Sequence, residues 1–122
     1  MKSMKALVVD DSSFIRRLVS DAMKRLGFQP IEAQDGTIAL DIARREIPTV
    51  ILMDMIMPKM DGYEATKILK SDPATSKIPI IAITSQILPD ERKKAEDAGV
   101  DAFFEKPYNF WELRATIKKL IF

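Results

Sequence analysis

The chain has no cysteine and no histidine among its 122 residues. The first absence excludes disulfide frameworks, thiolate zinc sites and cysteine nucleophiles. The second excludes Ser-His-Asp catalysis, imidazole-bound zinc and a phosphohistidine on this chain. An excess of charge of one sign is also lacking. The 19 Lys and Arg against 18 Asp and Glu leave a formal net charge of +1, so no broad field draws the protein to nucleic acid or to an anionic membrane. Long apolar runs are missing as well: the stretches at 50–53 and 80–83 are far too short to span a bilayer. Residues 1–5 lead straight into a strand-like segment with no secretory pattern, and a cytoplasmic protein is the expectation. Chemistry must then rest on carboxylates, hydroxyls, Lys or Arg, and any metal would need hard oxygen ligands.

What is present is a regular alternation. Residues 5–10 (K-A-L-V-V-D) read as a strand with an acidic end. Ile15, Leu18, Val19, Ala22 and Leu26 follow at helical spacing, stopped by Gly27. Residues 28–34 form a weak strand in which Pro30 argues for an edge position. Asp35-Gly36 reads as a turn, and Ile38, Ala39, Ile42 and Ala43 give a second helical stripe before Pro48. Residues 49–54 (T-V-I-L-M-D) suit a strand buried on both faces. A loop over 55–62 precedes a third helix carrying Ala65, Ile68 and Leu69. Residues 79–84 are another buried strand, 90–98 a charged helix closed by Gly99, 101–105 a short fifth strand, and Phe110, Leu113, Ile117 and Leu120 a last helix. Five strand–helix alternations with no linker or repeat predict one α/β domain over 1–122, with a parallel sheet covered on both faces.

In such a sheet, ligands bind outside the carboxyl ends of the strands. Those ends carry Asp10-Asp11, Asp54, Thr84-Ser85 and Glu105-Lys106. Three clustered carboxylates repel one another and require cations or protons. Mg²⁺ suits them, because it takes one or two carboxylates and leaves positions for water or phosphate oxygens. Lys106 offers a compact positive charge for a phosphoryl group, and Thr84 a hydroxyl donor. One carboxylate can attack phosphorus to give an aspartyl phosphate. Together these groups read as a phosphoryl-accepting site.

Four motifs in order carry a family resemblance: V-V-D-D-S at 8–12, L-M-D-M-I-M-P-K-M-D-G at 52–62, A-I-T-S at 82–85 and A-F-F-E-K-P at 102–107. The chain resembles a response-regulator receiver domain over nearly its whole length, in the stand-alone, chemotaxis-regulator-like form. The resemblance implies a doubly wound, flavodoxin-like fold of five parallel strands in the order 2-1-3-4-5 with five helices. It makes Asp54 the phosphoacceptor. Asp11, Asp54 and the backbone carbonyl of Ile56 would hold Mg²⁺, with Asp10 contributing directly or through water. Lys106 would pair with the phosphoryl group, Thr84 would swing toward it, and Phe103 would turn inward. A cis Lys106-Pro107 bond is implied too. A histidine kinase or phosphotransfer protein would be the donor, and a downstream protein would read the surface of residues 89–122. No nucleic acid or membrane is implied, and the state is a monomer or a phosphorylation-dependent dimer.

Plainer readings exist for each residue. Asp10 and Asp11 could cap the first helix, with Ser12 or Ser13. Asp61-Gly62 reads as only a turn. Arg16, Arg17, Lys24, Arg25 and the run 91–94 read as solvated helix faces. Trp111 and Tyr108 read as packing or partner surface. Two positions depart from the family pattern beside the attacking-water path: Ile56, two after Asp54, and Gln86, two after Thr84. An apolar Ile56 cannot orient water, so slow self-dephosphorylation is expected. Phe103 also lacks the hydroxyl of a tyrosine. The alternatives are a Mg²⁺-dependent phosphatase or phosphotransferase with an aspartyl nucleophile, a receiver acting without phosphorylation, and a flavodoxin-like carrier. Ile56 stands where such an enzyme usually has a second Asp. The acidic segment 10–14 would repel a flavin phosphate.

Overall fold

The three inner strands are apolar on both faces, and the structure buries both. It is a computed structural model describing residues 4–85 and 89–122. The elements run β1 (Lys5–Val9), α1 (Ser13–Arg25), β2 (Gln29–Ala33), α2 (Gly36–Glu46), β3 (Val50–Met53), α3 (Gly62–Ser71), β4 (Ile80–Thr84), α4 (Pro89–Ala98), β5 (Ala102–Glu105) and α5 (Phe110–Ile121). The strands form one parallel sheet in the order β2-β1-β3-β4-β5.

Successive side chains of a strand point to opposite faces, and the core divides accordingly. Leu7, Val9, Ile51, Met53, Ile80 and Ala82 pack under α2, α3 and α4 with Leu40, Leu69 and Ala95. Ala6, Val8, Val50, Leu52, Ile81 and Ile83 pack under α1 and α5 with Val19, Met23, Leu113 and Ile117. Truncating one of these fully buried large side chains to Ala removes about 2–5 kcal/mol. β2 is an edge strand, as Pro30 suggested.

The element order and nearly every boundary agree with the sequence reading. Gly27 follows α1 with φ of +93°, a conformation open to glycine. The two Asp-Gly pairs are different: both are helix starts rather than turns. Asp35 accepts a hydrogen bond from the Ile38 N–H at 2.9 Å, and Asp61 accepts one from the Glu64 N–H at 2.9 Å. Each Asp is extended and caps a helix whose first residue is the Gly. Of the residues that could cap α1, Ser12 is the N-cap, its Oγ accepting from the Ile15 N–H at 3.3 Å, and the capping reading fails for Asp10 and Asp11. No described helix is long and apolar enough to cross a membrane.

Candidate active site

Sheet hydrogen bonds continue one residue past three strands and carry the chemistry with them. The Asp10 N–H donates to the Ala33 carbonyl at 3.1 Å, the Asp54 N–H to the Val9 carbonyl at 2.9 Å, and the Lys106 N–H to the Thr84 carbonyl at 2.7 Å. The register pairs Val9 with Met53 and Thr84 with Glu105. Asp10, Asp54 and Lys106 therefore meet at one rim of the sheet.

Asp10, Asp11 and Asp54 each offer a carboxylate oxygen, and these three atoms lie within 4.8 Å of one another. Asp10 and Asp54 are almost completely buried, whereas Asp11 is exposed. Lys106 Nζ stands 2.8 Å from Asp10 Oδ2 and 3.4 Å from Asp54 Oδ2. The first is a close ion pair, and the second is long for a hydrogen bond. Backbone amides complete the setting: the Ser12 N–H donates to Asp10 Oδ1 at 2.9 Å and the Ile56 N–H to Asp54 Oδ1 at 3.1 Å.

One ammonium does not neutralise three carboxylates. Desolvation first, and then the neighbouring charge of Asp10, push the Asp54 carboxyl up to about 6, against the opposing pull of the Ile56 amide and Lys106. Burial works against the Lys106 charge, but its hydrogen bond to Asp10 and the charges of Asp54 and Asp10 outweigh that effect, so it is held above the ordinary lysine value. The site is thus short of positive charge, and its donors are all hard oxygens. A divalent cation such as Mg²⁺ fits that deficit.

The other predicted residues lie on β4, on β5 and in the loop after Asp54. Thr84 is fully buried, and its hydroxyl has no partner among the described residues, which is costly for a group that meets no acceptor. Phe103 is half-buried and packs against the core under α2–α4. Ile56 is 47% exposed beside Asp54, and the Lys106-Pro107 bond is cis. Gln86 lies outside the described residues. A groove of about 380 Å³ opens from Lys106 and Pro107 along Ile15, Leu18, Ala22 and Phe110.

Three features escaped the sequence reading. Gly62 packs so closely on the site loop that a Cβ would stand 2.3 Å from the Asp54 carbonyl oxygen and 2.7 Å from Met55 Cα. Arg16 is not a solvated side chain: its Nη1 donates to the Asp10 carbonyl at 2.7 Å and its Nε to Glu32 at 3.1 Å. Its spacing from Val19, Ser20 and Met23, all buried, marks the inner face of α1 and could have indicated this. The run 91–94 is not wholly solvated either. The buried Tyr63 hydroxyl donates to Glu91, and Lys94 Nζ lies 4.2 Å from the Tyr63 ring centroid. Burial and the Glu91 carboxylate push the Tyr63 hydroxyl well above its ordinary value.

A family model described as the response regulator receiver domain matches residues 6–118. The polar-differentiation response regulator DivK of Brucella anthropi is 32% identical over 115 residues, 94% of each chain. The "probable transcriptional regulator ycf27" of Porphyridium aerugineum is 35% identical over 99% of this chain, which spans only about half (49%) of that relative. Among solved structures, the Vibrio cholerae chemotaxis protein CheY4 superposes with a TM-score of 0.90 at 30% identity, covering 98% of this chain and 99% of that one. The receiver domain of a Pseudomonas aeruginosa sensor histidine kinase, which has a magnesium ion coordinated in its active-site cleft, gives 0.90 at 28% identity, covering 98% of each chain. The chain belongs to the response-regulator receiver family of two-component phosphorelays, whose members are phosphoaccepting switches.

Proposed function

We propose that residues 1–122 form one cytoplasmic receiver unit that accepts a phosphoryl group on Asp54 and thereby changes its affinity for protein partners. The observation that carries this reading is the meeting of Asp10, Asp11 and Asp54 within 4.8 Å, with Lys106 on two of them. Asp11, Asp54 and the Ile56 carbonyl would hold Mg²⁺, with Asp10 assisting. The bound ion would offset the charge that develops on the transferred phosphoryl oxygens.

The chain's own groups do the rest. The Ile56 amide and Lys106 orient the Asp54 carboxylate for in-line attack on phosphorus. The phosphoryl–nitrogen bond of a donor phosphohistidine breaks as the Asp54 oxygen–phosphorus bond forms. With no histidine among residues 1–122, the donor imidazole lies outside them, on a histidine kinase or phosphotransfer protein. The apolar groove that begins at Lys106 supports a protein donor seated beside the site. After transfer, Lys106 and the Thr84 hydroxyl, which has no partner among the described residues, take up the new oxygens, and Phe103 moves into the space that Thr84 leaves. This biases the surface of residues 89–122, where Trp111 is already 66% exposed, toward a second protein.

The test is intact mass after incubation with Mg²⁺ and acetyl phosphate. One phosphoryl adduct, absent from Asp54→Ala, supports the switch. Steady turnover of assorted phosphate esters would instead favour the aspartyl-nucleophile enzyme, and no adduct would favour a receiver acting without phosphorylation.

A further inference from the structure

Asp10 and Asp11 are adjacent, yet they are held very differently. Asp10 is fixed on every side: its N–H to Ala33, its carboxylate to Ser12 and Lys106, its carbonyl to Arg16. The exposed Asp11 side chain makes no hydrogen bond among the described residues. The direction of the Asp11 carboxylate therefore follows from the orientation of the peptide that joins it to Asp10. That peptide lies beyond the end of β1, where the sheet no longer supplies a donor for its carbonyl.

Arg16 supplies it. The guanidinium fork reaches the Asp10 carbonyl with Nη1 and Glu32, on edge strand β2, with Nε. Its side chain is only 16% exposed, although Glu32 is 44% exposed. A planar fork anchored at two points fixes an angle that a single point charge cannot. We infer that Arg16 is a positioning residue for the metal site: by clamping the Asp10–Asp11 peptide, it sets the direction in which Asp11 presents its carboxylate. The inference rests on the reading that Asp10, Asp11 and Asp54 hold Mg²⁺.

The sign of one measurement separates positioning from simple charge. Arg16 is a cation near three carboxylates. If it acted only through its field, removing it would tighten Mg²⁺ binding. If it positions Asp11, removing it weakens binding, by about tenfold for a partner of this kind. Mg²⁺ is titrated calorimetrically, at constant ionic strength, into the wild type, Arg16→Met, Arg16→Lys and Arg17→Met. Arg17 is the exposed neighbour on the same helix, with no side-chain hydrogen bond among the described residues. We expect weaker binding in Arg16→Met, partial recovery in Arg16→Lys, and unchanged or slightly tighter binding in Arg17→Met.

The second readout is the rate of acetyl-phosphate labelling against Mg²⁺ concentration. Half-saturating Mg²⁺ should rise in Arg16→Met while the rate at saturating Mg²⁺ stays near wild type. Equal or tighter Mg²⁺ binding in Arg16→Met overturns the inference. So does a lowered saturating rate with unchanged half-saturation, the mark of a merely structural role. If Arg16→Met does not fold, binding by Arg16→Lys equal to the wild type overturns it. A wild type that binds no Mg²⁺ removes the metal-site reading itself, and the inference with it.

Discussion

Replacing Asp54 with Asn should make the protein more stable at neutral pH when no Mg²⁺ is present. Burial and the charge of Asp10 raise the Asp54 carboxyl from 3.8 to about 6, which means that the fold works against its ionised form. The group's folded value lies above its unfolded value. Its penalty is therefore fully present above pH 6 and disappears as pH falls through the window from 6 toward 3.8. Integrated over that window, the penalty is about 3 kcal/mol at pH 7, about half of that at pH 5, and below about 1 kcal/mol at pH 4. Asn keeps the shape and an acceptor oxygen for the Ile56 amide, and Lys106 keeps its shorter pair with Asp10.

The assay is urea unfolding of the wild type and Asp54→Asn in EDTA, from pH 7.5 down to pH 4. The variant should be the more stable at pH 7, on the order of 2–3 kcal/mol, and the two curves should converge toward pH 4. Adding Mg²⁺ should stabilise the wild type more than the variant, narrowing the gap at pH 7. A variant less stable than the wild type at pH 7 in EDTA would refute the reasoning, as would a gap that does not close in acid. The first result would mean that Lys106 and the backbone amide outweigh desolvation at this carboxylate, and the second that the gap does not come from its ionisation.

Gly62→Ala puts a Cβ 2.3 Å from the Asp54 carbonyl oxygen, where only backbone can move. Urea unfolding should show a loss of about 1–3 kcal/mol, and acetyl-phosphate labelling should slow; wild-type values for both would contradict this packing. Thr84→Val replaces a buried hydroxyl without a partner among the described residues by an isosteric methyl. Its unphosphorylated form should be stabilised by about 1 kcal/mol, while hydrogen exchange over residues 89–122 should lose its response to labelling of Asp54; a destabilised variant with an intact response would count against the switch role. Ile56→Asn places an amide beside Asp54 that can orient water, so the aspartyl phosphate, followed by intact mass, should decay faster than in the wild type. An unchanged lifetime would remove Ile56 from control of that step.

The parts legible in the sequence were those that a periodic apolar pattern or a local motif specifies. Strand runs such as 80–83 needed no partner information, and an Asp or Thr closing a buried run marked the rim of the sheet. The parts that were not legible depend on geometry between segments. Asp-Gly at 35–36 and 61–62 has turn chemistry and capping chemistry at once. Which one prevails depends on the helix that follows, and Gly62 is required by its approach to Asp54 rather than by its own backbone angles. Arg16 read as solvated because its acceptors are a backbone carbonyl and a side chain on the edge strand β2, neither of which has a sequence signature. Glu91 read as solvated for the same reason, its donor being Tyr63 on α3.

The residues that the sequence left unread or misread share a position in the molecule. Gly62 closes the second motif, whereas Tyr63 and Arg16 lie outside the motifs, and each touches the site or its immediate support. Gly62 sets the height of the loop after Asp54. Tyr63, the next residue, ties that loop's helix to the first turn of α4 through Glu91. Arg16 fixes the peptide between two of the three carboxylates. A rim that concentrates three carboxylates around one ammonium is under electrostatic stress, and it keeps its shape only where neighbouring backbone and side chains restrain it. If so, substitutions in this supporting layer should change Mg²⁺ affinity and labelling rate more than they change global stability. The reverse order should hold for Leu69 or Leu113, which lie in the core away from the rim. Paired unfolding and Mg²⁺ titrations of Arg16→Met and Leu113→Ala measure that contrast directly, and equal ratios of the two effects would show that the support is not separable from the fold.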